Sequence, residues 1–222
     1  MIDITANIRK LYSGLPPSVV IVAVSKTKPV EEIMVAYDAG HRIFGENRVQ
    51  ELVEKQPLMP DDIEWHMIGH LQTNKVKYIA GFVEMIHSVD SLKLLRTIDK
   101  EAEKAGRSIK CLLQFHIASE DTKFGFSYDE AAEIIEGGWL AELNNILLSG
   151  VMGMATFTED QNQVRNEFRQ LKDIFDKLKA RFFPDDISFR EISMGMSGDY
   201  RAAIEEGSTI IRVGSSIFGD RN

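Results

Sequence analysis

The chain of 222 residues contains one cysteine, Cys111, so no intrachain disulfide can form. Cys111 lies in an apolar segment and reads as a small core residue. Basic residues are not in excess: 26 Lys and Arg stand against 34 Asp and Glu, a net charge of −8. That balance argues against a nucleic-acid binder or a protein of anionic membranes, and leaves room for a local basic pocket. No apolar run reaches membrane-spanning length. Met1 to Leu15 lacks a secretory hydrophobic block and reads as a short amphipathic helix. His66 and His70 have a ligand-like spacing, but Gly69 separates them from a shared helical face, so no metal site is expected. Repeats, low-complexity tracts and linkers are also missing. The expectation is a cytoplasmic protein with one domain over residues 1–222.

What is present is a regular alternation. Val19–Val24 is an apolar run suited to a strand buried on both faces, and Pro29 suits a helix start. Strand-like segments follow at 42–45, 64–68, 85–89, 109–117, 146–154, 189–193 and 209–213. Helix-like segments lie between them. The longest, 162–181, carries Phe168, Leu171, Ile174, Phe175 and Leu178 on one face. Eight strands separated by helices predict a single α/β domain, a (β/α)8 TIM barrel with an extra N-terminal helix. A doubly wound open sheet is the alternative.

Lys26 closes the first apolar run, at the strand edge where α/β folds bind ligands. A lysine against apolar walls loses some preference for charge, and its neutral amine can attack a carbonyl. Lys26 is therefore either an imine-forming residue or a solvated strand-end lysine. Ser193-Met194-Gly195-Met196-Ser197 follows the seventh strand, and Arg212-Val213-Gly214-Ser215 ends the eighth. Glycine- and serine-rich turns at these two places suit a phosphate. Arg212 stands among Ile210, Ile211 and Val213, and a guanidinium in such a run needs a partner, either a carboxylate or a ligand. By alternation, Val22, Val24 and Lys26 share one face, as do Ile210, Arg212 and Gly214. In a closed barrel these two faces converge. Asn47 and Gln50 have the spacing of a helix-capping pair. Ser119–Gly125 reads as a polar loop.

Together these segments resemble the pyridoxal 5′-phosphate (PLP) homeostasis protein family, relatives of the alanine racemase barrel. The matching stretches are 23–29 (AVSKTKP), 44–47 (FGEN), 65–75 (WHMIGHLQTNK), 193–197 (SMGMS) with Asp199, and Arg212-Val213-Gly214 with Ile217-Phe218-Gly219. The resemblance implies that Lys26 forms the imine, with Lys28 beside it lowering its pKa by like-charge repulsion. It implies that Ser193, Met194, Gly195, Met196 and Ser197, with Gly214 and Ser215, hold the phosphate. Asn47 would lie near the ring, and Arg212 would face the pyridine nitrogen. A fixed cation there makes the ring a poorer electron sink. Arg48, His116 and the stretch 153–157 depart from the family pattern.

Racemases of this kind add a β domain that supplies a tyrosine, and two-sided proton transfer needs a base on each face. None of Tyr12, Tyr37, Tyr78, Tyr128 and Tyr200 matches that tyrosine. The expected protein is a monomeric, non-catalytic binder, carrier or buffer of PLP, acting on amino- and keto-acid balance indirectly. Its partners would be PLP-dependent apoenzymes or a regulatory protein. A weak amino-acid racemase, a Schiff-base aldolase and a barrel whose surface binds a regulatory partner are the competing expectations.

Overall fold

Short apolar strands gain most when both faces are covered, one by other strands' side chains and one by helices. The computed structural model, which describes residues 2–119 and 125–219, satisfies this with a closed barrel of eight parallel strands in chain order. The strands are β1 (Val20–Val24), β2 (Ile43–Glu46), β3 (Glu64–Met67), β4 (Met85–Val89), β5 (Ile109–Gln114), β6 (Ile146–Met152), β7 (Glu191–Met196) and β8 (Ile210–Val213). Because β1 pairs with both β2 and β8, the sheet has no edge there and the open-sheet alternative fails.

The helices are α1 (Ile4–Gly14), α2 (Val30–Asp38), α3 (Val49–Lys55), α4 (Leu92–Lys104), α5 (Tyr128–Glu136), α6 (Gln161–Phe182), α7 (Tyr200–Glu205) and α8 (Ser215–Phe218). Their boundaries follow from capping. Asp3, Ser91, Ser127 and Asp160 accept backbone N–H groups at the starts of α1, α4, α5 and α6. Among the described residues no helix is long and apolar enough to cross a membrane. The loop expected at 119–125 lies mostly on residues 120–124, outside the described residues.

Two differences from the sequence expectation have physical causes. The helix expected after β3 is a run of 3-10 turns, Thr73–Tyr78. So short a span leaves few i→i+4 bonds, and it lacks a side-chain cap. Strand β7 does not stop at Ser193 but continues to Met196, where it pairs with Arg212. The glycine there permits it: Gly195, at φ +93, lies within a register shift between Ser193 and Met196.

The core has two compartments. Inside the barrel, Val22, Ile68, Met85, Leu112, Met152 and Ile210 pack together, with Val20, Val24 and Ile43 against them. The larger cluster lies between the strands and the helices, and includes Ile21, Ala23, Phe44, Phe168, Met194 and Ile211. Alternation along β1 and β8 thus sends Val22 and Arg212 inward and Ile21 and Ile211 outward.

The β5–β6 ladder shifts register as Cys111 pairs with Leu148 and Leu112 with Gly150. Gly150 sits at φ +152, and a Cβ there would stand 1.9 Å from the Glu191 carbonyl oxygen. Neither the backbone angle nor the neighbouring strand accepts a side chain. Gly150→Ala is expected to cost at least about 3 kcal/mol of unfolding free energy, measured by urea titration, from strain and overpacking together. A loss below about 1 kcal/mol would show that β7 can move away freely.

Candidate functional site

A cavity of about 670 Å³ opens at the C-terminal end of the strands. It is lined by Val24 at the end of β1 and Lys26 beyond it, Asn47 after β2, Ile68 after β3, Met196 at the end of β7 and Ser197 to Asp199 beyond it, and Arg212, Gly214 and Ser215 in and after β8. Met154 and the almost fully exposed Phe157 form an apolar lip, with Lys28 and Gly219 beside them. Of the residues singled out in the sequence, Lys26, Asn47, Met196, Ser197, Arg212, Gly214 and Ser215 meet here.

Ser193, Met194 and Gly195 are not among the lining residues. Met194 is fully buried in the core beneath the helices. Gly195 turns toward Ala203 and Tyr200 of α7. Ser193 points into the barrel below the cavity, bonded to Arg212 and His87. These placements share one cause: β7 continues to Met196, and the register shift between Ser193 and Met196 leaves Ser193 facing the barrel interior while Met194 and Gly195 both face the helices.

Ser197 and Gly214 bring the last two βα loops together. The Ser197 Oγ accepts N–H bonds from Gly214 at 3.2 Å and from Ser216 at 3.4 Å. Two amides converging on one oxygen make a concavity of the kind that can receive an anion. The Asp199 Oδ1 accepts the Met196 N–H at 2.5 Å and fixes the preceding turn. Burial raises the Asp199 pKa, against the lowering pull of the Met196 amide and of Arg212.

Asn47 does not cap the helix that follows. The cap position of α3 is Arg48, and no side chain supplies a cap bond. Gly69 fixes where Asn47 sits: a Cβ on Gly69 would lie 2.3 Å from the Asn47 carbonyl oxygen, so the ends of β2 and β3 approach through it. Lys28 makes an ion pair with Glu32 at 3.2 Å and donates to the Phe218 carbonyl at 3.1 Å. Glu32 therefore offsets the charge that Lys28 would otherwise direct at Lys26.

Arg212 is the floor of the site, and only 4% of it is exposed. Its partners are neutral. One terminal nitrogen donates to the Ser193 Oγ at 2.6 Å and the Ser193 carbonyl at 2.9 Å, and the other to the Gly153 carbonyl at 3.1 Å. Burial lowers its pKa to about 10, which still leaves it cationic, while Asp199 pulls the other way. Arg212 thus makes no hydrogen bond to a carboxylate among the described residues and keeps its charge for the cavity.

Behind Arg212 the chain of bonds continues across the barrel. The Ser193 Oγ lies 2.9 Å from His87 Nδ1, and His87 Nε2 lies 2.9 Å from His66 Nδ1. Arginine can only donate. The Ser193 hydroxyl therefore accepts from Arg212, and with no other acceptor for its proton among the described residues it donates to His87 Nδ1. His87 then carries its proton on Nε2 and gives it to His66 Nδ1. Burial holds His66 down to about 3 and His87 well below its ordinary value, so both rings are neutral. The sequence carried a signal for this: His66 and His87 sit at inward positions of strands whose neighbouring residues, Trp65, Met67, Met85 and Ile86, are apolar.

The sequence signature of the alanine racemase N-terminal domain family matches residues 2–222. The pyridoxal phosphate homeostasis protein of Aquifex aeolicus is 40% identical over 202 residues, 90% of this chain and 86% of that one. The chain belongs to the pyridoxal phosphate homeostasis protein family. A solved structure of PipY from Synechococcus elongatus with PLP bound has a TM-score of 0.87 and 37% identity, covering 98% of this chain and 100% of that chain. The alanine racemase of Clostridium difficile 630, at 17% identity and TM-score 0.78, has the same fold; 98% of this chain matches 56% of it. Members of the family thus share the barrel with racemases over a part of the longer enzyme.

Two measurements test the buried chain. Nitrogen-15 spectra at pH 7 are expected to show His66 and His87 as neutral Nε2–H tautomers; a charged ring or an Nδ1–H tautomer would contradict the bond directions. The second concerns stability. Burial also holds His41, which bonds to Tyr12 and the Ile43 carbonyl, down to about 4. For all three histidines the folded pKa lies below the unfolded value near 6.5. The unfolded chain then binds more protons below that pH, so stability is complete above it and falls as pH drops toward 4. Each contributes up to about 1.4 kcal/mol per pH unit. Glu46, whose pKa burial raises, acts in the opposite sense. Urea midpoints are expected to fall steeply between pH 7 and pH 5, and a flat profile would contradict the neutral rings.

Proposed function

We propose that the protein binds PLP in the cavity at the mouth of β1 and β8 and acts as a non-catalytic carrier or buffer in vitamin B6 homeostasis. The reading is of one PLP-binding barrel domain over residues 1–222, monomeric and cytoplasmic, acting on amino- and keto-acid balance through the cofactor supply. One observation carries it: Lys26, the buried cation Arg212 and the Ser197–Gly214 anion concavity line the same cavity. The PLP named in the PipY structure and the name shared by the most similar relatives support it.

The donor set fits the group. When bound, PLP supplies an aldehyde that bonds to a primary amine, a ring nitrogen and a phosphate. Lys26 supplies the amine and is the covalent anchor. Ser197, with the amides of Gly214 and Ser215, would hold the phosphate; Arg212 would direct its charge at the ring nitrogen, and Asn47 would lie beside the ring. A cation held there by neutral partners disfavours a proton on that nitrogen. Arg212 thereby strengthens holding and weakens carbanion chemistry. The other ionisable lining groups are committed: Lys28 to Glu32 and Phe218, Asp199 to the Met196 amide. Neither is placed as a second proton-transfer base for a substrate.

Titration of the purified protein with PLP is expected to reach one equivalent with a shifted absorption spectrum, and Lys26→Ala is expected to lose that shift. Arg212→Met is expected to weaken retention at least about tenfold, the cost of losing a charged hydrogen bond. Solvent deuterium is expected not to enter the α-carbon of any amino acid. Exchange at a rate that depends on Lys26 would make the protein an enzyme, and an unchanged spectral shift in Lys26→Ala would remove the anchor.

A further inference from the structure

The turn that carries Lys26 is strained, and the residues flanking Lys26 are tied to one charged cluster. Thr27 sits at φ +65, and among the described residues it is the one non-glycine with a positive φ. A β-branched residue rarely adopts that conformation, because its Cβ crowds the backbone. On one side of Lys26, the Ser25 Oγ donates to Glu46 Oε1 at 2.6 Å, and the Ser25 carbonyl accepts from Lys55 Nζ at 2.9 Å. On the other side, the Thr27 N–H donates to Glu51 Oε2 at 2.7 Å. Lys55 joins the two carboxylates, at 2.8 Å from Glu46 and 3.1 Å from Glu51.

This cluster is poorly arranged for stability. Glu46 is fully buried, spends one oxygen on both Ser25 and Lys55, and leaves Oε2 without a hydrogen-bond partner among the described residues. A buried ion pair with an unsatisfied oxygen gains little over apolar packing. The left-handed threonine adds a further cost. What the cluster does achieve is geometric. It grips Ser25 from β2 and Thr27 from α3, and leaves the intervening Lys26 on the cavity wall.

We propose that Glu46, Glu51 and Lys55 are positioning residues: a clamp, built from β2 and α3, that holds the Ser25–Thr27 turn in its strained form and so presents the Lys26 amine. The proposal rests on the reading of Lys26 as the covalent anchor for PLP. None of the three lines the cavity. Their effect is on the rate at which the amine captures an aldehyde, because reacting groups held in place need less reorganisation.

The test follows the spectral change on mixing PLP with full-length protein by stopped flow, alongside the melting temperature of the PLP-free protein. Glu51→Ala removes the acceptor for Thr27 N–H and is expected to slow capture about 10- to 100-fold. Glu51→Gln keeps an oxygen acceptor and is expected to recover most of that rate. Thr27→Gly is expected to raise the melting temperature, because glycine adopts this φ without strain, and yet to slow capture. Binding of pyridoxine 5′-phosphate, which has no aldehyde, is expected to change little in all three. Capture at the wild-type rate in both Glu51→Ala and Thr27→Gly would overturn the clamp while leaving the anchor intact. Absence of any capture by the wild-type protein would remove the anchor and the clamp together.

Discussion

Strand β1 pairs with strand β8 so that Val22 stands opposite Arg212, and the site depends on that register. It closes the barrel and sets alternate residues of both strands facing inward. Lys26 follows β1 and Arg212 lies near the end of β8, so the register delivers an amine and a guanidinium to one cavity from opposite ends of the sequence. A slip of one residue would exchange Arg212 with Ile211 and turn the cation toward the helices.

Arg212 also shows how the interior manages charge. A carboxylate partner would neutralise it; Ser193 and Gly153 satisfy its donors without doing so. The two histidines extend this arrangement across the barrel as neutral groups. The Glu46–Lys55 pair lies on the other side of the sheet, outside the barrel, and acts on backbone geometry at Lys26. Electrostatic function and positional function are thus separated by the strand layer.

Much of this was legible in the sequence. Apolar runs punctuated by glycine, proline and capping residues marked the strands and helices, since burial and backbone restriction act locally. Lys26, Ser197, Arg212 and Gly214 stood out because each is polar or flexible where an apolar strand ends. The seventh strand was expected to end at Ser193 because glycine suggests a loop, whereas here it permits a register shift within a strand that continues to Met196. Asn47 followed a capping pattern, but the cap lies one residue later. The roles of Glu46, Glu51 and Lys55 could not be read from spacing. They depend on β2 and α3 packing against the turn after β1, contacts between residues about 20 to 30 positions apart.

The central claim is that one amine, that of Lys26, takes the aldehyde of PLP. Borohydride reduction of the PLP-loaded protein, followed by peptide mass mapping, tests it most directly. The expected result is a single modified peptide whose added mass, one reduced phosphopyridoxyl group, lies on Lys26. An unmodified protein, or a label on Lys28 or spread over surface lysines, would contradict it.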